Sequence, residues 1–108
     1  MQKKLNWEAF SGEDRNNILR EIQNVISIND GCILNFNMFS DLALSLCVEI
    51  EEKKILGLHK ALKSLLKISD LDLGIINQNS QKEWLLFINL SFSKGTGDLK
   101  MKVPEVPG

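Results

Sequence analysis

Apolar positions change their period several times along this chain, and each change marks a structural element. Residues 2–9 alternate weakly, with Leu5 and Trp7 on one face and Lys4, Asn6 and Glu8 on the other. This predicts a short first strand, with a terminal tail as the alternative. Ser11 followed by Asp14 forms a partial capping box, since a serine oxygen can accept from the free amides that open a helix. Ile18, Leu19, Ile22, Val25 and Ile26 then recur at helical spacing and form one apolar stripe, on a helix that ends near Asn29, Asp30 and Gly31.

The period then drops to two. Cys32, Leu34, Phe36 and Met38 share one face, with Ile33, Asn35 and Asn37 opposite. Leu42, Leu44, Leu46, Val48 and Ile50 likewise oppose Ala43, Ser45, Cys47 and Glu49. These runs predict a hairpin. Bringing both apolar sets to one face calls for pairing Leu34 with Leu46 and Phe36 with Leu44, which excludes a two-residue Ser40-Asp41 turn and favours a three-residue Phe39-Ser40-Asp41 loop.

Glu49, Glu51 and Glu52 precede a second stripe of Ile55, Leu58, Leu62 and Leu65, and Lys60, Lys63 and Lys67 follow. The charges therefore suit the dipole of a second helix. The stretch from Ile68 to Glu83 is expected to hold a short edge strand and a polar loop. Trp84, Leu86, Ile88, Leu90 and Phe92 alternate cleanly with Leu85, Phe87, Asn89, Ser91 and Ser93, predicting a strand. A turn at Gly95-Thr96-Gly97 and a short strand from Leu99 to Val103 complete the pattern, before Pro104 and Pro107 end regular structure.

The expected fold is an α+β two-layer sandwich: a mostly antiparallel sheet with two helices on one face, in the β-α-β-β-α-β order of the ferredoxin-like plait, plus a short C-terminal strand. Residues 1–108 are expected to form a single domain with an irregular tail at 104–108, because a chain of this length supports one core. That architecture hosts unrelated functions and carries no activity with it.

Composition narrows the function classes. The net charge of -1 gives no field favouring nucleic acid or anionic membrane, and Arg15 and Arg20 are the only arginines. No leader-like or membrane-spanning apolar run is present in the sequence, so a cytoplasmic protein is expected, and the Asn89-Leu90-Ser91 sequon is read as a chance match. The lysines of the second helix lie close to Glu49, Glu51 and Glu52 and are read as a solvated face.

Candidate chemistry is sparse. His59, the single histidine, flanks an apolar stripe with no partner identified, and is read as a boundary side chain. Cys32 is expected in the core and Cys47 on the opposite face, so the two are expected to be reduced and unbonded. Asp70 and Asp72 lack the remaining ligands of a calcium loop. Lys94-Gly95-Thr96-Gly97 opens no helix and reads as a turn. No catalytic residue, metal or cofactor is assigned, and an enzyme is the less favoured reading.

What stands out is the sheet face away from the helices. On this pairing it carries Ile33, Asn35, Asn37, Ala43, Ser45, Cys47, Leu85, Phe87, Asn89 and Ser91, a mixture of apolar and small uncharged groups suited to a partly buried surface. The leading expectation is a small non-enzymatic interaction or regulatory module that homodimerises through this face, with Asn35, Asn37, Ser45, Cys47, Leu85, Phe87 and Asn89 at the interface. The alternative is a small-molecule-binding protein or small enzyme with a cleft at the same face or at the dimer interface. Single-stranded RNA binding is disfavoured by the charge and by having Phe87 as the only aromatic placed there. An unknown protein partner is a further option, as is cover of this face by the C-terminal segment or the stretch from Ile68 to Ser80 of the same chain.

Overall fold

The computed structural model describes residues 2–93. Eight elements follow one another: β1 (Lys3–Ser11), α1 (Arg15–Ile28), β2 (Cys32–Ser40), β3 (Ala43–Glu51), α2 (Glu52–Lys63), the two-residue β4 (Lys67–Ile68), a single 3-10 turn (Leu73–Ile75) and β5 (Glu83–Phe92). The five strands form one sheet, and the two helices cover one of its faces. The turn at 95–97, the strand expected at 99–103 and the tail at 104–108 lie outside the described residues.

Alternation in β3 and β5 translates directly into burial. Leu44, Leu46, Val48 and Ile50 of β3, and Leu86, Ile88 and Leu90 of β5, are at most 1% exposed. They meet Ile18, Ile22 and Ile26 of α1 and Ile55, Leu58 and Leu62 of α2 in one continuous core. β1 joins that core through Trp7 and Ala9 and is a full nine-residue strand, longer than its weak alternation suggests. Ser11 is the last residue of the β1 ladder, opposite Phe92, so it cannot also open the helix. Asp14 is the N-cap instead, accepting from the Asn17 amide, while the Ser11 hydroxyl accepts from Glu13.

The chain leaves α1 through a Schellman turn: the Asp30 amide donates to the Ser27 carbonyl and the Gly31 amide to that of Ile26. Asp30 takes the left-handed position, with φ of 62°. Gly31 is needed for close approach, because a Cβ there would stand 2.9 Å from Ile26 Cγ2 and 3.2 Å from Val48 Cγ1.

The strand order β2-β3-β5-β1-β4 departs from the expected plait. β1 pairs parallel with β5, while β5 with β3, β3 with β2, and β1 with β4 are antiparallel. A split β-α-β unit leaves room for one strand between its parallel pair; here β5 and β3 both lie between β1 and β2. The physical reason is that β5, apolar along one whole face, takes the most enclosed place, and β1 pairs with it along its full length.

The hairpin also differs from expectation. Phe36 pairs with Leu46 and Met38 with Leu44, two residues away from the predicted register. Irregularities near Leu34 and Phe39 absorb the odd residues, so Asp41 and Leu42 close a two-residue turn between Ser40 and Ala43. Arg15 Nη1 holds this tip, 3.2 Å from Met38 Sδ and 3.3 Å from Asp41 Oδ1. The irregularity near Leu34 reverses the parity of the strand's first residues: Ile33 pairs with Val48 and packs toward the core, while Cys32 pairs with Glu49 and is exposed.

Candidate interaction surface

Strand register brings the seven site residues expected from the sequence onto one face. Asn35, Cys47 and Phe87 form one cross-strand row, continued by Asn6 of β1. Asn37, Ser45 and Asn89 form the next, continued by Glu8; Leu85 lies between Glu49 and Lys4. Asn89 Nδ2 donates to Glu8 Oε2 at 2.9 Å, and Gln2 Nε2 to Glu49 Oε2 at 3.0 Å. Cys47, Leu85, Phe87 and Asn89 are half-buried by their neighbours, whereas Asn35 and Asn37 are exposed. The face is thus more polar than its β2, β3 and β5 residues alone imply, because β1 adds Lys4, Asn6 and Glu8.

At one end of this face, Glu51 pairs with Glu83 and Glu49 lies next along β3. The Glu49 carboxylate, then burial and the charge of Glu51, push the Glu83 carboxyl above its ordinary value. On the helix side of the same end, Glu52 is 6% exposed and its Oε2 accepts the Asn77 amide at 2.7 Å. That backbone hydrogen bond, helped by Ser80, Trp84 and the charge of Lys3, holds the Glu52 carboxyl below its ordinary value against the opposing effect of burial. Glu52 thereby fastens the 77–80 loop to the start of α2; the adjoining cleft of 340 Å³ is lined by Lys3, Asn77 and Lys82 among others, away from the seven residues above.

The feature that sequence reading does not place is the β2 edge. Phe36 and Met38 point to the helix side, as the core-facing alternation predicts, yet they are 40% and 47% exposed because the helices cover the outermost strand only in part, Arg15 of α1 reaching Met38. Leu34, Phe39 and Leu42 are exposed as well, at 52%, 70% and 46%. The Phe36 amide is received at 2.8 Å by the side chain of its own neighbour, Asn35, which places it toward the free edge. The available signal is composition: Cys32 to Ser40 contains no charge and no proline, the usual guards of an exposed edge.

Chemistry elsewhere is structural. His59 is buried, with Nε2 2.8 Å from the Ser69 carbonyl and its ring edge-on to Trp7 at 5.0 Å. Cys32 and Cys47 are both free, and among the described residues no group of three or more His, Cys, Asp or Glu side chains is placed to hold a metal ion. No helix among the described residues is long and apolar enough to cross a membrane. Comparisons with protein-family models, with curated proteins and with solved structures find no match.

Proposed function

We propose that this chain is a small non-enzymatic interaction module that docks protein surfaces on the β2 side of its sheet, through the strand edge and the adjoining rows of the open face. The carrying observation is a nine-residue uncharged edge strand with Leu34, Phe36, Met38 and Phe39 left exposed. An added strand gains main-chain hydrogen bonds along such an edge and apolar contacts from alternate side chains. Asn35, Asn37, Ser45 and Cys47 supply small polar groups beside it; Leu85, Phe87 and Asn89, on β5, lie further in, outside this docking strip. Neither acid-base pair nor metal chemistry is part of this reading.

If these side chains serve docking, they are dispensable for folding. Leu34→Lys/Phe36→Lys is expected to lose the binding of an apolar fluorescent dye that the dilute wild-type protein shows, while its thermal midpoint stays within a few degrees. Equal dye binding by the two proteins, or a fall in midpoint as large as that of a core truncation, would overturn the reading.

A further inference from the structure

We propose that the occupant of the β2 edge is a second copy of this chain, paired antiparallel through β2 about a two-fold axis at Phe36, so that two five-stranded sheets become one continuous ten-stranded sheet. The inference rests on reading β2 as a docking edge and adds the partner and the register.

The argument is self-complementarity. Antiparallel pairing about Phe36 sets Asn35 opposite Asn37 of the second copy within the regular stretch between the two irregularities of β2, and brings Leu34, at the first irregularity, beside its Met38. Amide faces amide, and apolar lies beside apolar. A C2 interface demands this kind of match, because each side chain meets the image of its own patch. Electrostatics agree, since nine uncharged residues bring no like charges together, whereas a charge near the axis would meet its own image.

Faces and backbone also agree. Asn35 and Asn37 share the open face, and Phe36 and Met38 share the helix side. Pairing residues whose numbers sum to 72 keeps each central side chain level with one on the same face. The Phe36 amide, now held by the Asn35 carboxamide, faces the edge as a hydrogen-bonded antiparallel pair on the axis requires. The exposed parts of Phe36 and Met38 then bury against their counterparts where the helices stop short.

Size sets the expected strength. A nine-residue strand spans about 30 Å, and a strip roughly 20 Å across the sheet edge gives on the order of 600 Å² per partner, at the lower end for a stable dimer. Micromolar dissociation is therefore expected, and a concentration series is needed to see it.

Two charge patterns on the full chain provide the test, read by sedimentation equilibrium with circular dichroism as the folding check. In this register, Asn35→Lys/Asn37→Lys sets lysine against lysine twice, and a folded protein whose dimer is weakened at least a hundredfold is expected. Asn35→Lys/Asn37→Glu sets each introduced lysine against an introduced glutamate, and a dimer within about tenfold of wild type is expected. Phe87→Lys, in the same row as Asn35 but two strands in from the edge on β5, is expected to stay dimeric.

A wild-type protein that is monomeric up to millimolar concentration overturns the second copy as occupant, while leaving dye binding to judge the docking reading separately. Loss of the dimer in the lysine-glutamate variant overturns the register, since pairing residue 37 with itself would then oppose glutamates. Loss of the dimer in Phe87→Lys, with both β2 variants dimeric, overturns edge pairing in favour of stacked open faces.

Discussion

The two edges of the sheet are built in opposite ways. On one side, β1 carries Lys3, Lys4 and Glu8, its outer flank is paired by β4 at Ala9 and Phe10, and Ser69 then closes the ladder. The Ser69 amide donates to the Glu8 carbonyl, and its hydroxyl accepts the Glu8 amide. His59 holds the Ser69 carbonyl from beneath. On the other side, β2 has nine residues with neither charge nor proline, and no strand beyond it among the described residues. Charges and short pairing strands are how sheets discourage edge-to-edge association. One edge has charges and a short pairing strand; the other has neither, only the irregularities near Leu34 and Phe39, and that asymmetry is what directs the functional reading to β2.

The largest effect expected from breaking this contrast comes from matched truncations at the two edges. Trp7 lies on the guarded side, 2% exposed in the core, and Phe36 on the open side. Trp7→Ala is expected to cost about 3–5 kcal/mol, the range for a large buried aromatic. Phe36→Ala should cost the monomer about 1 kcal/mol or less, because its ring keeps much of its exposure in the folded chain. Urea denaturation of dilute protein checks both. Similar costs would mean that β2 is as much a part of the fold as β1.

This contrast also explains which parts of the molecule are legible in the sequence. β3, β5 and both helices read correctly because each has a partner covering its apolar side, so periodicity and burial coincide in Leu44 to Ile50, in Trp84 to Phe92, and in Ile18, Ile22 and Ile26 of α1. β2 reads wrongly because the same alternation, Cys32, Leu34, Phe36 and Met38, is covered by the helices only in part and is interrupted near Leu34 and Phe39. Parity therefore fails at Cys32 and Ile33, and apolar residues assigned to a core are left exposed. Strand order is a further loss, because nothing local to β1 or β5 specifies that they lie side by side and parallel. The seven open-face residues are found together because β3 and β5 keep their alternation and Asn35 and Asn37 lie between the two irregularities of β2; Lys4, Asn6 and Glu8 join them only once β1 is known to be a strand.

A smaller effect is expected at the clasp of the guarded edge. His59→Leu fills the space but leaves the Ser69 carbonyl without its donor, at an expected cost of about 1–2 kcal/mol. Amide exchange at Ser69, and at Glu8 where the Ser69 hydroxyl is the acceptor, should quicken while exchange in β3 keeps pace with global unfolding. His59→Gln, which can present a donor to the same carbonyl, should recover part of the loss. Unchanged exchange at both amides would show that the edge is closed by β4 alone.

The smallest effects are electrostatic, and they differ in sign on the two faces of the sheet end where β3 meets α2. Glu52 has its carboxyl held below the ordinary value by the Asn77 amide, so the folded state favours its ionised form. Its stabilising contribution is present above the unfolded value near 4.5 and is lost as pH falls through the lower folded value. Glu83 has its carboxyl raised, chiefly by Glu49, so the folded state favours its protonated form, and repulsion grows as pH rises through that raised value. At neutral pH, Glu52→Gln should therefore lower the denaturation midpoint and Glu83→Gln should raise it, and both differences should shrink toward wild type at acid pH. The Glu52 difference closes at the lower pH, because its folded value lies below the unfolded one while that of Glu83 lies above. Midpoints from pH 3 to pH 8 check the sign of each. A gain from Glu83→Gln that persisted in acid would mean that repulsion among Glu49, Glu51 and Glu83 is not its source.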